Sequence, residues 1–383
     1  MKILFIAHDS SLYGASQSFI TLIGGLRENL NFELLVILPF TGKMEQALKN
    51  LNIDYTIIPF PRCFEFKYKI TNVISWCRGF LSYYFRLKYV LYKYKNQIKY
   101  FNPDLIYTNT SIVSFGYEMS RKLKVKHVWH IREFGDIDYN FIYYPSKSVI
   151  GRNISKSTHV VFGSNSLKEA WVSSKLSNFS IIYNGIVDDA KPPNVKRGIN
   201  NKKTINLGIL AAICPGKGQL TAIKALSIIH SWNLKFNLFL YGDIIDQNYG
   251  DFIKKLITDL GLYEYVHFKG FVNDRSDIYR NIDILLNCSA KEGFGRTIVE
   301  AMHYAIPVIA NKSGGALEII EDNLDGMFFD DTVNELADKI KILVSDKELY
   351  QKLSGNGVIK ASKFSVNQYV NSINNLLTLI INN

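Results

Sequence analysis

Short apolar runs alternate with helix-length amphipathic segments along most of this chain. This alternation is typical of parallel β-α-β units, in which each strand is followed by a helix that crosses over the sheet. The near-continuous apolar character of runs such as Ile284–Asn287 favours strands that are covered by helices on both faces. The pattern predicts strands at residues 2–7, 33–38, 55–58, 104–107, 127–131, 159–162 and 180–183 in the first half, and at residues 206–210, 236–241, 267–269, 282–287 and 307–310 in the second. We therefore expect an α/β protein with two doubly wound, Rossmann-like domains.

A polar stretch at residues 188–203 separates the two halves and contains the only consecutive prolines of the chain, Pro192 and Pro193. Prolines interrupt regular structure, so we place the linker between the domains there. The N-terminal domain is expected at residues 1–187 and the C-terminal domain at residues 204–364. A final segment, residues 365–383, carries apolar residues at helical spacing and predicts a helix.

A basic amphipathic helix is predicted at residues 71–99. Its apolar positions from Phe80 to Ile98 fall on one side, and its lysines and arginines fall on the other. Such a helix fits two interpretations equally well. It packs on the first sheet with a solvated basic face, or that basic face contacts anionic lipid headgroups.

The composition is ordinary for a globular protein. The chain has 383 residues, of which 47% are hydrophobic and 21% charged, a length typical of two domains. No run of about 18 uncharged apolar residues predicts a membrane span. The first apolar run ends at His8, which favours a buried strand over a signal peptide. The four widely spaced cysteines have no metal-binding or redox spacing, so we expect a reduced, cytoplasmic protein.

The net charge of +11 is the one unusual bulk property. Nucleic acid, an anionic membrane surface and acidic ligands are all possible partners for such a charge. No recognised nucleic-acid-binding motif accompanies it, so we expect no nucleic-acid partner. A peripheral contact with the inner face of the cell membrane through residues 71–99 stays open.

The segment with the strongest chemical signal runs from Ser289 to Met302. It follows a predicted strand, turns through Gly293 and Gly295, and opens a helix near Thr297. A glycine-containing turn into a helix exposes backbone N–H groups at the positive end of the helix dipole, where a phosphate or diphosphate binds readily. Two carboxylates, Glu292 and Glu300, flank this turn and can accept hydrogen bonds from the hydroxyl groups of a bound ligand. The spacing therefore predicts a polyhydroxylated diphosphate ligand.

This segment resembles a known signature. Glu292-Gly-Phe-Gly-Arg-Thr-Ile-Val-Glu300 is similar to the E-x7-E motif of the family 4 retaining glycosyltransferases, and the following Pro307-Val-Ile-Ala and Gly314-Gly-Ala-Leu-Glu also match their pattern. The resemblance extends over nearly the whole chain. It implies the GT-B fold, with two Rossmann-like domains that face each other across a cleft and a C-terminal helix that crosses back to the N-terminal domain.

The resemblance also implies site residues. The N-terminal domain would hold the acceptor, with Gly14 in a first loop that approaches the donor phosphates and the acceptor. His130, at a strand end, would contact the donor sugar or help to position the acceptor. In the C-terminal domain, Lys217 would pair with the donor diphosphate. Catalytic roles are implied for His130 and Glu292, and donor-binding roles for Gly14, Lys217, Gly293, Phe294, Gly295, Arg296, Thr297 and Glu300.

One departure from the family pattern concerns phosphate binding. The family commonly has an arginine five or six residues before the lysine, where this chain has Ala211 and Ala212. Arg296, inside the glycine-rich turn, is the nearest candidate replacement.

The implied reaction transfers a sugar from a nucleotide-diphosphate donor to an acceptor hydroxyl with retention of configuration. No cofactor or metal is expected, because helix dipoles and cations would stabilise the leaving diphosphate. The short motif Asp136-Ile-Asp138 resembles the metal-binding D-x-D of the other glycosyltransferase fold, but three-residue motifs recur by chance. The acceptor is expected to be a lipid-linked saccharide in polysaccharide or capsule assembly. A nucleotide-sugar epimerase and a non-catalytic partner subunit of a transferase remain alternatives.

Overall fold

The computed structural model describes residues 1–172, 176–188, 204–232, 234–272 and 274–382. The chain forms two compact units. The first comprises Met1–Asp136, Asn140–Gly185 and Val366–Asn383, and the second comprises Ile137–Tyr139 and Ile186–Ser365. Within the linker expected at residues 188–203, residues 189–203 lie outside the described residues.

The N-terminal unit is built on a seven-stranded parallel sheet with the order β3-β2-β1-β5-β6-β8-β9. Its strands are β1 (Lys2–Ile6), β2 (Glu33–Leu38), β3 (Asp54–Ile57), β4 (Phe64–Phe66), β5 (Leu105–Asn109), β6 (Lys126–Ile131), β7 (Phe141–Tyr143), β8 (His159–Phe162) and β9 (Phe179–Ile181). Strands β4 and β7 form a separate antiparallel pair. Its first helices are α1 (Gly14–Leu26), α2 (Lys43–Asn50), α3 (Val73–Phe101), α4 (Phe115–Leu123), α5 (Lys147–Ser155) and α6 (Asn165–Trp171).

The C-terminal unit has a six-stranded parallel sheet with the order β12-β11-β10-β13-β14-β15. Its strands are β10 (Ile205–Leu210), β11 (Phe236–Tyr241), β12 (Val266–Gly270), β13 (Ile284–Asn287), β14 (Val308–Asn311) and β15 (Met327–Phe329). Its helices are α7 (Gln219–Ser231), α8 (Gln247–Asp259), α9 (Arg275–Asn281), α10 (Arg296–His303), α11 (Ala316–Ile319), α12 (Val333–Ser345) and α13 (Lys347–Ala361). The last helix, α14 (Val366–Asn382), belongs to the N-terminal unit.

The apolar patterns of the sequence account for the cores. Buried apolar residues of β1, β2, α1 and α14 form one cluster, and those of α3, α4, α5 and the opposite face of the sheet form a second. The core of the C-terminal unit is a third cluster, to which β10, β11, β13 and the helices α7, α8, α12 and α13 contribute. Burial of these alternate strand faces by helices on both sides explains the near-continuous apolar runs.

The predicted fold class of two parallel α/β domains is confirmed. Every predicted strand is present, with ends that shift by at most two residues, and the predicted final helix spans Val366–Asn382. The sequence did not predict the three-residue strands β4, β7 and β15, which are too short for an alternation of apolar and polar positions to emerge. Strand β9 is equally short, but the apolar run that continues to Tyr183 revealed it.

Candidate functional site

The strand order of the C-terminal sheet places its candidate site. Strands β10, β11 and β12 follow one another in one direction, and β13 then starts on the other side of β10. In open α/β sheets, ligands bind at such a reversal, beyond the carboxyl ends of the strands. Lys217 follows β10 and Glu292 follows β13, so the fold brings both residues to this edge. The backbone N–H of Ala290 donates to the carbonyl of Gly216 at 2.9 Å, which joins the two loops.

The glycine-rich loop after β13 packs closely against Gly314 and Gly315, which follow β14. A Cβ at Gly314 would lie 2.3 Å from the carbonyl oxygen of Glu292, and one at Gly315 would lie 2.5 Å from that of Phe294. The N–H of Gly315 donates to the carbonyl of Glu292 at 2.7 Å. The motif after β14 therefore contains two glycines because side chains there would push the Glu292 loop away.

The turn itself leads into α10 as predicted. Gly295 is the N-cap residue, with a φ of 105°, and it has no side chain to satisfy the first N–H groups of the helix. A helix start without a side-chain cap can offer N–H groups to an anion, so this turn is a candidate phosphate site. Phe294 is buried and packs edge-on against Phe364, with ring centroids 5.6 Å apart, so its role is to anchor the loop.

Glu300 lies one turn into α10 and is almost fully buried. Its Oε1 accepts from Nε of Arg296 at 2.6 Å, and its Oε2 accepts from the hydroxyl of Tyr279 at 2.7 Å. A guanidinium nitrogen of Arg275 lies 3.9 Å from Oε2. Burial disfavours the charged carboxylate, but Arg296 and Arg275 outweigh it and hold the pKa of Glu300 below its usual value.

These contacts change the interpretation of Arg296. Arg296 is the candidate for the missing phosphate-binding arginine, and the structure places its Nε on Glu300. A contact with phosphate stays a prediction. Arg275 and Tyr279, both on α9, were missed by sequence reasoning. No motif marks them, because their relevance comes only from the packing of α9 against α10.

Glu292 is half-buried, and the side-chain amide of Asn287, at the end of β13, approaches its Oε2 at 3.5 Å. Lys217 lies in a turn between two glycines with positive φ angles, 93° at Gly216 and 75° at Gly218. Its Nζ lies 4.5 Å from the centroid of the Tyr139 ring. Burial works against the Lys217 charge, but Tyr139, Glu292 and Asp138 outweigh it and raise the pKa of the ammonium group. Lys217 is therefore a fully charged, buried cation close to Glu292.

In the N-terminal unit, the corresponding reversal of strand order lies between β1 and β5. Helix α1 begins at Gly14, and its N-cap residue Tyr13 makes no capping bond through its side chain. In the part of the chain that is described, the hydroxyl of Ser16 in the first turn is buried without a hydrogen-bond partner. Gly14 thus lies at a helix N-terminus after the carboxyl end of β1. Its contact with donor phosphates stays a prediction.

His130, near the carboxyl end of β6, is completely buried. Its Nδ1 lies 2.5 Å from the Tyr107 hydroxyl and 3.2 Å from a terminal nitrogen of Arg132. Burial, reinforced by the Arg132 charge, holds the pKa of His130 well below its usual value. The imidazole is therefore neutral at physiological pH.

The D-x-D residues do not act together. Asp136 forms an ion pair with Lys147 at 2.6 Å, and Asp138 is buried in the C-terminal unit near Lys217. Among the described residues, no group of three or more His, Cys, Asp or Glu side chains could hold a metal ion.

Two α/β units, each with a parallel sheet whose strand order reverses at the candidate site, have the architecture of the GT-B fold. The structure is similar to that of HepE from Anabaena in complex with UDP-glucose, with a TM-score of 0.77, 25% identity and 99% of both chains covered. Residues 192–360 match the model of the family described as glycosyl transferases group 1.

Two curated glycosyltransferases are similar to this chain in sequence. An uncharacterized glycosyltransferase of Methanocaldococcus jannaschii is 26% identical over 345 residues, which are 85% of this chain and 92% of that protein. The O-antigen biosynthesis glycosyltransferase WclY of Escherichia coli is 30% identical over 148 residues, which are 37% of this chain and 40% of that protein.

Proposed function

We propose that this glycosyltransferase moves a sugar from a nucleotide-diphosphate donor to a hydroxyl of a lipid-linked saccharide, with retention of configuration and without a metal ion. The observation that carries the proposal is the pair Glu292 and Glu300 around the uncapped start of α10, with Lys217 beside them. The helix start and Lys217 offer positive charge to a diphosphate, and the two carboxylates offer acceptors to sugar and ribose hydroxyls.

The donor is proposed to be a UDP-sugar, because HepE was crystallised with UDP-glucose. During transfer, the bond between the anomeric carbon and the diphosphate oxygen breaks and the acceptor oxygen bonds to the same face. The acceptor proton passes to an oxygen of the departing diphosphate. Lys217 and the N–H groups of α10 stabilise the negative charge that develops, so Mg²⁺ is not required. Glu292 orients the donor hydroxyls and stabilises positive charge on the sugar ring.

The proposed acceptor class rests on helix α3. Its buried residues face the sheet, while its outward side carries both basic and large apolar residues and no acidic ones. The exposed apolar residues include Ile74, Leu81, Phe85, Tyr89 and Tyr92, with exposures from 50% to 85%. Leu81, Phe85 and Tyr92 recur at helical spacing, interleaved with Lys88 and Lys95. Aromatic and basic residues on one exposed helix face are suited to an anionic membrane interface.

The basic and aromatic residues on the outer face of α3 also favour a membrane-linked acceptor over a free sugar, because an enzyme bound to the membrane surface works where such acceptors are held. The similarity to an O-antigen biosynthesis glycosyltransferase supports a role in cell-surface polysaccharide synthesis. No helix in the described residues is long and apolar enough to cross a membrane, so contact through α3 would be peripheral.

The first test is nucleotide release from UDP-, GDP-, ADP- and dTDP-sugars, with and without a membrane lipid extract. We expect release from a UDP-sugar to rise with the extract and to survive chelation, and Glu292→Ala to reduce it by a factor of 100 or more, on the order of 3 kcal/mol. The exposed Glu264→Ala serves as the matched control and should leave the rate unchanged. NMR of the product assigns its anomeric configuration, and an inverted product would exclude retention. If the folded wild-type protein releases no nucleotide from any donor, a non-catalytic subunit is favoured. If the sugar is isomerised without transfer, an epimerase is favoured.

The second test is co-sedimentation with vesicles that contain anionic or only zwitterionic lipids. We expect binding to anionic vesicles that weakens with salt, and a loss of about tenfold in affinity for the double variant Phe85→Ser/Tyr92→Ser, because burial of each aromatic side chain stabilises insertion by ~1 kcal/mol or more. Tyr263→Ser removes an equally exposed aromatic ring outside α3, where the exposure is 67%, and should bind like wild type. Equal binding by all three proteins would refute the α3 contact.

A further inference from the structure

A buried arginine stands next to the candidate catalytic histidine. Arg132 is 8% exposed, and all four of its hydrogen-bond partners in the described part of the chain are neutral. Its Nε donates to Oδ1 of Asn109 at 2.6 Å, and one terminal nitrogen donates to Oδ1 of Asn184. The other terminal nitrogen donates to the hydroxyl of Tyr369 at 2.7 Å and to Nδ1 of His130 at 3.2 Å. Burial of a guanidinium without a carboxylate is costly, so this arrangement calls for a functional reason.

The contact with His130 fixes the position of its proton. An arginine N–H can only donate, so Nδ1 of His130 must accept with its lone pair. The Tyr107 hydroxyl approaches the same Nδ1 at 2.5 Å and donates as well, since burial raises the pKa of Tyr107 well above its usual value. A neutral imidazole whose Nδ1 accepts carries its single proton on Nε2.

The other ring nitrogen of His130 needs a partner. Its Nε2 is buried, and the described part of the chain offers it no hydrogen-bond partner. A buried N–H group without an acceptor costs about 1–3 kcal/mol, which is recovered when a ligand oxygen reaches it. The second buried histidine of β6 differs in this respect. His127 has both ring nitrogens within 3.0 Å of hydroxyl groups, those of Thr108 and Ser157.

We propose that Arg132 is a positioning residue that fixes the His130 imidazole as an Nε2–H hydrogen-bond donor to an oxygen of a sugar substrate. Tyr369, on the C-terminal helix α14, and the two asparagines hold the guanidinium in place. His130 then donates a hydrogen bond in the reaction and does not remove the acceptor proton. The tautomer follows from the protein alone, whereas the contact with the sugar rests on the proposed function.

The tautomer is tested by long-range ¹H–¹⁵N correlation NMR of the ¹⁵N-histidine-labelled wild-type protein, without any ligand. The His130 signals are assigned by their loss in His130→Gln, and His127 serves as the internal reference. We expect a protonated Nε2 and an unprotonated Nδ1 that do not change between pH 6 and pH 8. A protonated Nδ1, or an imidazolium in this range, would overturn the proposal.

Arg132→Met tests the positioning role. Without the guanidinium, the Tyr107 hydroxyl can either donate to Nδ1 or accept from it, so His130 should populate both neutral tautomers. The imidazole should stay neutral between pH 6 and pH 8, because burial is the larger cause of its low pKa. Arg132→Lys keeps a charged donor and should retain the Nε2–H form, which provides a second variant if Arg132→Met fails to fold. A His130 spectrum that is identical in wild type and in folded Arg132→Met would show that Arg132 only ties α14 to the sheet.

The hydrogen-bond role is tested by kinetics with the sugar donor that the release assay identifies. The side-chain amide of His130→Gln can still donate near the Nε2 position, whereas His130→Leu cannot. We expect His130→Gln to retain a kcat at least about tenfold above that of His130→Leu, the effect of one hydrogen bond to a polar ligand. His127→Gln, the control on the same strand, should keep the wild-type kcat. An equal loss of kcat in both His130 variants would contradict donation by Nε2–H. A wild-type protein without transferase activity would contradict the proposed function, whereas the tautomer determined by NMR would still hold.

Discussion

At the residue scale, the site depends on how each buried charge is neutralised. Glu300 stays ionised in a buried place because Arg296 contacts one of its oxygens and Tyr279 the other, with Arg275 nearby. The ion pair is short and mostly shielded from solvent, so loss of Arg296 would leave a buried carboxylate without its nearest counter-charge. We therefore expect Arg296 to act on the ligand through Glu300 and not by direct contact with phosphate.

This difference predicts a distinct binding pattern for Arg296→Ala. If Arg296 positions Glu300 for the ribose, its loss should weaken the binding of UDP and of uridine by the same factor, about tenfold to a hundredfold for a charged hydrogen bond. If it bound phosphate, only UDP binding would weaken. Isothermal titration with both ligands distinguishes the two roles. Lys217→Ala should affect UDP alone, and Arg280→Ala, an exposed arginine on α9, should affect neither.

At the element scale, the turn between β10 and α7 is the part of the C-terminal unit that positions Lys217. A Cβ at Gly218 would lie 1.8 Å from the carbonyl oxygen of Cys288, so the turn can approach the end of β13 only without a side chain. Gly261, between α8 and β12, has a similar positive φ of 67°, but a Cβ there would meet no atom within 4 Å. The two glycines thus share a backbone conformation and differ in their surroundings.

The comparison predicts two different outcomes for the same substitution. Gly261→Ala should cost only the strain of the left-handed conformation, about 1–2 kcal/mol, and leave kcat unchanged. Gly218→Ala carries the same strain and must also push the turn away from β13, which displaces Lys217. It should be less stable than Gly261→Ala by ~1 kcal/mol or more and lose most of its activity. Urea unfolding and nucleotide release measure both effects; equal behaviour of the two variants would contradict this role of the turn.

At the scale of the whole molecule, helix α14 completes the core of the N-terminal unit. Helix α14 belongs to the N-terminal unit, where Tyr369, Ile373 and Leu377 are buried in the same core as β1 and α1. Val370 lies so close to Gly25 that a Cβ at Gly25 would approach one of its methyl groups to 2.5 Å. The N-terminal unit therefore buries its core fully only when α14 is packed against β1 and α1.

Ile373→Ala should accordingly destabilise the N-terminal unit by about 2–5 kcal/mol, because it opens a cavity in this core. Hydrogen exchange measured by mass spectrometry should show faster exchange in β1, β2 and β5 and unchanged exchange in β10, β11 and β13. Leu379→Ala, on the same helix at 60% exposure, is the matched control and should behave like wild type. Faster exchange confined to the C-terminal sheet in Ile373→Ala would contradict this division of the chain.

The sequence by itself determined the elements and the chemical class of the C-terminal site. Apolar periodicity located twelve strands of the two parallel sheets, and the run from Glu292 to Glu300 identified the turn, the helix start and both carboxylates. These features are local: a helix period or a strand-turn-helix motif is complete within a few consecutive residues.

Only the tertiary structure decided what the site residues contact. It assigned Arg296 to Glu300, brought Arg275 and Tyr279 to the same carboxylate, and revealed large apolar residues among the basic ones on the outer face of α3. Arg132 and Tyr369 are 237 residues apart, yet they share a hydrogen bond that helps to hold His130. Such contacts depend on how separate elements pack, and periodicity within one element carries no information about its partners across the fold.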